Sequence, residues 1–392
     1  MRTQVGIVGA GPAGLMLSHL LHLAGIESVV IENRSRSYVE QRVRAGVLEN
    51  DTVELMKSTG VGERLMREGL VHHGIELRFD GIGHRIDLSG LTGGRTISVY
   101  GQQEVVKDLV DQRLRDNGTI LYEVADVKID AVETTAPMLS FTNAEGRQEL
   151  VCDFIAGCDG FHGISRAAIP ESAKTIYDWN YPFAWLGILA TVAPSTDELI
   201  YARHDQGFAL HSLRSPELSR LYLQVEPDDD LVHWPDDRIW SELATRFSTR
   251  DGWVLHEGSI IERAITPMRS FVTDPMSFGR LFLAGDSAHI VPPTGAKGLN
   301  LAVHDVMKLS RALEEHYTHH RDFLLDTYSR DCLRRVWRVQ HFSWWMTSML
   351  HRFGDSDNPH QDHLQRAELE NVTSSRAAAT VLAENYVGLA EI

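Results

Sequence analysis

VGIVGAGPAGLMLSHLLHLAGIESVVIEN, residues 5–33, reads as strand, glycine-rich turn, helix and second strand in fewer than thirty residues. Val5 to Val8 is an apolar run. Gly9, Gly11 and Gly14 stand in GxGxxG register, with Ala13 in the same turn, and Leu15, Leu17, Leu20, Leu21 and Leu23 follow at spacings that suit a buried helix. Each glycine has a physical task. Gly9 permits the tight turn, Gly11 lets the backbone approach a pyrophosphate, and Gly14 lets the helix pack close on the strand. The start of the helix offers free N–H groups and partial positive charge to phosphates. Glu32, at the end of the second strand, stands where a carboxylate accepts hydrogen bonds from ribose hydroxyls. The unit predicts an adenine dinucleotide and does not distinguish FAD from NAD.

Working outward, the chain has 392 residues, 43% of them hydrophobic, enough for two or three domains with large cores. Its net charge of −16 argues against nucleic acid or an anionic membrane as the main partner, since both require a positive surplus. A small anion needs only a local arginine cluster. Three scattered cysteines do not make a disulfide framework and fit a reducing cytoplasm. Cys152 and Cys158 read as small buried hydrophobes, and no metal site is expected. The apolar stretch at 5–31 is interrupted by Ser18, His19, His22 and Glu27, so it is read as neither a signal peptide nor a membrane span.

Residues 102–116 place Val105, Val106, Leu109, Val110 and Leu114 on one helical face. Residues 151–166 read as strand, turn and helix. From 180 to 272 the texture changes: FAWLGILATV, ELIYARH, GFALHSLR and SRLYLQVE are short strand-like runs separated by Gly, Pro and Ser, as in an antiparallel sheet. Strand–turn–helix returns at 281–310, and 322–350 reads as helix. The expected fold is α/β: a Rossmann-like dinucleotide-binding domain with an inserted antiparallel β-sheet substrate domain and a helical C-terminal region. Its expected divisions are 1–175, 176–275 and 276–392.

GRLFLAGDSAHIVPPTGAKGLNLAVHD (279–305) delivers Gly285-Asp286 from a strand, then a Pro- and Gly-rich loop, then a helix starting near Leu299. With FIAGCDGFHGISR (154–166), it resembles the single-component flavoprotein aromatic hydroxylases. QRVRAGVLE (41–49), ELIYARHDQGFALHSLRS (198–215), SRLYLQV (219–225), FSWWMTSMLHRF (342–353) and AENYVGL (383–389) extend the resemblance over essentially the whole chain, toward the members that act on 4-hydroxybenzoate.

The resemblance implies FAD, with its ADP half on Gly9, Gly11, Ala13, Gly14 and Glu32, its pyrophosphate near Arg42 and Arg44, and its ribityl chain on Asp286. Gln102, Asp159, Gly295, Leu299 and Asn300 complete the cofactor set. Arg42 and Arg44 are expected on a helix after the second strand, and Leu299 and Asn300 are expected to offer backbone and amide groups to the isoalloxazine. Arg220 matches a residue that influences flavin position, and Lys297 is expected to add positive charge. Arg34, Tyr38, Arg44, His162 and Arg269 are implied for the nicotinamide donor, NADPH or NADH, which has no second GxGxxG domain of its own.

For the substrate, the resemblance implies Ser212, Arg214 and Tyr222 on the carboxylate, where a guanidinium supplies a two-pronged donor. Tyr201 and Tyr386 are implied at the phenol, Pro293 facing the ring through its carbonyl, and His72 at the outer end of a proton relay, exchanging its proton near neutrality. By pattern alone, Tyr201 reads as a core residue and His72 as a surface histidine. The implied reaction is hydroxylation of 4-hydroxybenzoate at C3 to 3,4-dihydroxybenzoate with NAD(P)H and O2, through a C4a-hydroperoxyflavin. Two other readings fit the residues: a flavin hydroxylase of another hydroxybenzoate, and a non-catalytic flavin-binding sensor. The aromatic run 337–353 reads as core or dimer contact, and the resemblance implies a homodimer.

Overall fold

The computed structural model describes residues 1–42, 46–353 and 359–388. The first strand, Val5–Val8, lies inside a six-stranded sheet in the order 277–278, 281–283, 154–157, 5–8, 28–31, 119–121. All pairings are parallel except the edge hairpin 277–278/281–283. Strands 5–8, 28–31 and 154–157 are buried at every residue, as expected of a parallel sheet covered on both faces. Helices Gln102–Arg115 and Gly298–His319 pack against Pro12–Leu23. The chain thus leaves this sheet after residue 157 and returns to it at 277. The C-terminal ends of its parallel strands carry the Gly9 turn, Glu32, Asp159 and the Gly285–Ser287 turn.

The chain between the two visits supplies five strands of an eight-stranded sheet, ordered 289–290, 259–274, 175–191, 218–225, 207–215, 199–204, 75–79, 82–86. The four strand-like runs read from the sequence are strands here. The sheet also recruits the earlier hairpin 75–86, whose first strand pairs in parallel with 199–204. Alternation divides its two faces. Ala184, Leu186, Ile188, Ile200, Leu221 and Leu223 pack against helix Asp236–Phe247 through Ile239, Trp240, Leu243 and Phe247. Each of those buried helix side chains contributes about 1.5–3 kcal/mol of burial. The opposite face presents Trp185, Tyr201, Phe208, Leu210 and Tyr222 to one cluster with Phe342, Met346, Leu382 and Tyr386 from the C-terminal helices.

Two local expectations fail. Residues 158–164 lead into only a short 3-10 turn at Ser165–Ala168, because Asp159 Oδ2 accepts from both the Ser165 N–H and its hydroxyl, each at 2.9 Å. The helix after the second strand ends at Gln41, so Arg42 lies beyond it with its backbone extended. Arg44 falls outside the described residues.

Candidate active site

The glycine turn separates into its three tasks. Gly9 has φ +103°, and a Cβ there would stand 2.5 Å from the Cys158 carbonyl oxygen. A Cβ on Gly14 would lie 2.0 Å from the Gly9 oxygen, whereas one on Gly11 would meet nothing within 4 Å. Contact with the protein therefore requires glycine at 9 and 14, while Gly11 borders open space. The helix beginning at Pro12 has no side-chain cap, which leaves its first N–H groups available. Glu32 accepts from the Ala10 and Arg34 N–H groups, each at 2.8 Å, which orients the carboxylate at the strand end.

Asp159 is held by Ser165 through one oxygen, and its other oxygen is buried with no partner among the described residues. Burial pushes its carboxyl upward, against those two hydrogen bonds. Asp286 occupies the Gly285–Ser287 turn, which is anchored from behind. Asp305 Oδ2 accepts from the Gly285 N–H at 2.9 Å and from His289 Nε2 at 2.6 Å. Burial pulls His289 down, but the Asp305 carboxylate outweighs it and the net shift is upward. An open helix start, a carboxylate at a strand end, an orphaned buried acceptor and an anchored Gly-Asp turn at the C-terminal edge of one sheet fit a long dinucleotide. Gln102 opens helix 102–115.

Other cofactor expectations change. The Asn300 amide is wholly occupied inside the protein: its nitrogen donates to Val47 and Ala296 carbonyls, and its oxygen accepts from the Glu49 N–H and the Thr52 hydroxyl. Only its backbone can serve a flavin. Lys297 is buried, with Nζ 2.6 Å from Glu49 Oε1 and 2.9 Å from the Tyr386 carbonyl, while Arg335 holds the other Glu49 oxygen at 3.0 Å. Burial lowers Lys297 more than Glu49 raises it, and the ion pair with Glu49 offsets the buried charge only in part. Glu49 closes the stretch 41–49, and nothing in its local sequence marks it as the partner of a buried lysine. Gly295 belongs to the Pro293–Gly295 turn, where Pro293 is exposed, and Leu299 is half-buried in the first turn of helix 298–319.

The four substrate expectations on the eight-stranded sheet, Tyr201, Ser212, Arg214 and Tyr222, lie on the side that also receives Tyr386. In the register Tyr201 faces Leu210 and Leu210 faces Tyr222, so all three project from one face. Two strand spacings, about 10 Å, separate the backbones at Tyr201 and Tyr222. At one end the Tyr201 and Tyr386 hydroxyls lie 2.5 Å apart, both side chains 1% exposed. Burial pushes both phenols well above their ordinary range; for Tyr201 the hydrogen bond with Tyr386 opposes it. At the other end, a bulge after Leu213 lets Arg214 turn back, and its Nη1 donates to Ser212 Oγ and the Leu213 carbonyl, both at 2.9 Å. Its Nε is buried without a partner among the described residues. Burial lowers the Arg214 guanidinium, against the opposing pull of Tyr222. Such a cation gains from an incoming carboxylate. Arg220 is committed to Glu262 at 3.0 Å and lies over the Tyr222 ring.

His72 departs from expectation. It ends strand Leu70–His72, is 1% exposed, and neither ring nitrogen has a partner among the described residues. Burial lowers it to about 4, against Glu198 and Asp197. It is neutral across the physiological range and does not titrate near neutrality, because its site offers no anion close enough to repay desolvation.

The donor-cofactor residues form two groups. Arg34 lies 5.2 Å from the exposed Tyr38 ring, which Arg42, a residue of the FAD set, also borders at 6.0 Å. Arg269 stacks 4.4 Å from Phe161, beside His162, but both prongs of its fork are taken by Asp178.

Fold and site together define a flavoprotein aromatic hydroxylase. A family described as FAD binding domain matches residues 2–343. p-Hydroxybenzoate hydroxylase of Acinetobacter baylyi is 49% identical over 389 residues, 99% of this chain and 96% of that protein. The chain belongs to the p-hydroxybenzoate hydroxylase family of FAD-dependent aromatic monooxygenases. A more distant relative, the probable NADH-specific resorcinol 4-hydroxylase of Rhodococcus jostii, is 24% identical over 84% of this chain and 62% of its own length. The crystal structure of p-nitrophenol 4-monooxygenase from Pseudomonas putida shares the fold, with a TM-score of 0.83 at 19% identity over 99% of both chains. FAD is the cofactor and NAD(P)H the electron donor usual in the family.

Proposed function

We propose that this chain hydroxylates 4-hydroxybenzoate at C3, giving 3,4-dihydroxybenzoate. The main support is the Tyr201–Tyr386 hydroxyl pair, 2.5 Å apart, on the same sheet face as Ser212, Arg214 and Tyr222. Arg214, Ser212 and Tyr222 hold the carboxylate and thereby fix the ring's direction. Tyr201, whose phenol stays protonated, donates to the substrate oxygen and stabilises its phenolate, and Tyr386 holds Tyr201 in place. Ionisation enriches the ring carbon ortho to that oxygen in electron density, which is the position attacked. FAD, when bound and reduced by the nicotinamide donor, would activate O2, so that one oxygen atom goes to the ring and the other leaves as water. The protein's contribution is orientation, proton control and exclusion of water by the C-terminal helices. His72 enters as a neutral, buried relay group.

The Gly9–Gly14 turn, Glu32, Asp159, Asp286 and the Pro293–Asn300 backbone hold FAD in this reading. Arg34, Tyr38, His162 and Arg269 meet the nicotinamide donor, with Arg269 exchanging Asp178 for phosphate. Trp337, Trp344, Tyr177 and Trp179, all exposed, support a homodimer through that face. Three buried cysteines without disulfides support a cytoplasmic setting. Among the described residues, no helix is long and apolar enough to cross a membrane.

The test is steady-state oxidation of NADPH and of NADH, with and without each hydroxybenzoate isomer, with aromatic products identified. Stimulation by the 4-isomer with a matching amount of 3,4-dihydroxybenzoate supports the proposal. Preference for another isomer, or no stimulation by any, overturns it.

A further inference from the structure

His351 follows the last turn of helix Phe323–Leu350 and is completely buried on the substrate face of the eight-stranded sheet. Its ring stacks on Phe183 at 4.6 Å and on Phe208 at 4.2 Å. Its two nitrogens have partners that leave no choice of tautomer. Trp185 Nε1, which can only donate, lies 2.7 Å from His351 Nε2, and the Thr347 carbonyl, which can only accept, lies 3.0 Å from Nδ1. The ring is therefore neutral with its proton on Nδ1. Protonating Nε2 would set two donors against each other, and burial lowers the group to about 3 in the same direction.

Both partners lead to the active site. The Trp185 ring is also stacked on Phe208 and leans on Tyr222, with centroids 4.8 Å apart, and Tyr222 belongs to the carboxylate end of the pocket. Phe208 in turn meets Tyr201 at 6.2 Å. The hydroxyl of Thr347 lies 2.8 Å from that of Thr294, inside the Pro293–Gly295 turn on the cofactor side.

We propose that His351 is a positioning residue: its Nε2 fixes the Trp185 indole, which sets Tyr222 against the substrate carboxylate, while its Nδ1–H ties the same unit to the helix turn that holds Thr294. This rests on the reading of Tyr222 as a carboxylate ligand. A packing role and a positioning role give opposite rankings of two substitutions. Phenylalanine keeps the stack and loses the acceptor. Glutamine loses the stack, but its side-chain oxygen reaches the position of Nε2 and can accept from Trp185.

The experiment uses FAD-loaded H351F, H351Q and wild-type enzyme, each checked for flavin content and thermal melting. Affinity for 4-hydroxybenzoate is measured by titration. The Trp185 indole N–H resonance, assigned through W185F, is recorded without substrate. H351F is expected to bind the substrate about tenfold more weakly and to shift the indole signal toward that of an unbonded N–H. H351Q should keep affinity within about threefold and leave the signal near its wild-type position. W185F should resemble H351F in affinity, and the double variant W185F/H351F should be no weaker than either. Wild-type affinity in H351F, an unmoved indole signal, or weaker binding by H351Q than by H351F overturns the proposal. Failure of wild-type enzyme to bind 4-hydroxybenzoate overturns the substrate reading instead, and the indole signal still decides whether His351 holds Trp185.

Discussion

Replacing Arg214 with alanine tests the carboxylate end of the pocket. The guanidinium is held by Ser212 and the Leu213 carbonyl through one nitrogen, with a buried, unpartnered Nε and a charge that burial disfavours. A substrate carboxylate therefore removes a desolvation cost as well as forming charge-assisted hydrogen bonds. Truncating one member of such a pair costs about 2–5 kcal/mol. Ser212 and Tyr222 remain as donors in the variant, which places the expected loss in the lower half, about 2–3 kcal/mol, or roughly a 30- to 150-fold rise in Kd. R214K keeps a charge but not the fork and should fall between the two. The assay is titration of the FAD-loaded enzyme with 4-hydroxybenzoate, followed by flavin absorbance. A Kd for R214A within threefold of wild type, at unchanged flavin content and melting temperature, refutes the placement of the carboxylate.

Other consequences can be measured independently. Y201F removes the hydroxyl partner of buried Tyr386, and hydroxylation should slow with oxygen diverted to hydrogen peroxide; full coupling of NAD(P)H to product contradicts the role of Tyr201. G11A should leave the melting temperature of the flavin-free protein unchanged yet weaken FAD binding, whereas G14A, forced against the Gly9 oxygen, should lose about 1–3 kcal/mol of stability; equal effects from both refute the division of tasks. His72 titrates near 4 when folded and near 6.5 when unfolded, so below pH 6.5 the unfolded chain binds more protons. Stability should therefore fall from pH 6.5 down through about 4, by about 3 kcal/mol from this group. H72Q should flatten that slope in denaturant midpoints, and an unchanged slope contradicts the buried, neutral state.

The glycine turn and the strands of 180–225 were legible because their signals are local: spacing of glycines, and alternation along a strand. The convergence of Ser212, Arg214 and Tyr222 followed from alternation plus family resemblance. The parallel partnership of 75–79 with 199–204 was not legible, since no local pattern couples segments so far apart. Nor were the fates of Asn300 and Lys297, which are decided by the Val47 carbonyl and the Glu49 carboxylate arriving from a distant loop. His72 had the residue type of a proton exchanger, but its burial depends on tertiary packing around a three-residue strand. His351 was hidden inside an aromatic run whose helical spacing looked like core; it is core, with a forced hydrogen-bond polarity that only neighbouring elements define.

The most direct measurement is a single turnover of the reduced, FAD-loaded enzyme with 4-hydroxybenzoate under isotopically labelled oxygen gas, with mass analysis of the aromatic product. Ring and cofactor held as described give 3,4-dihydroxybenzoate carrying one labelled oxygen at C3. Unlabelled product, or label lost wholly to hydrogen peroxide while substrate stays bound, contradicts the account.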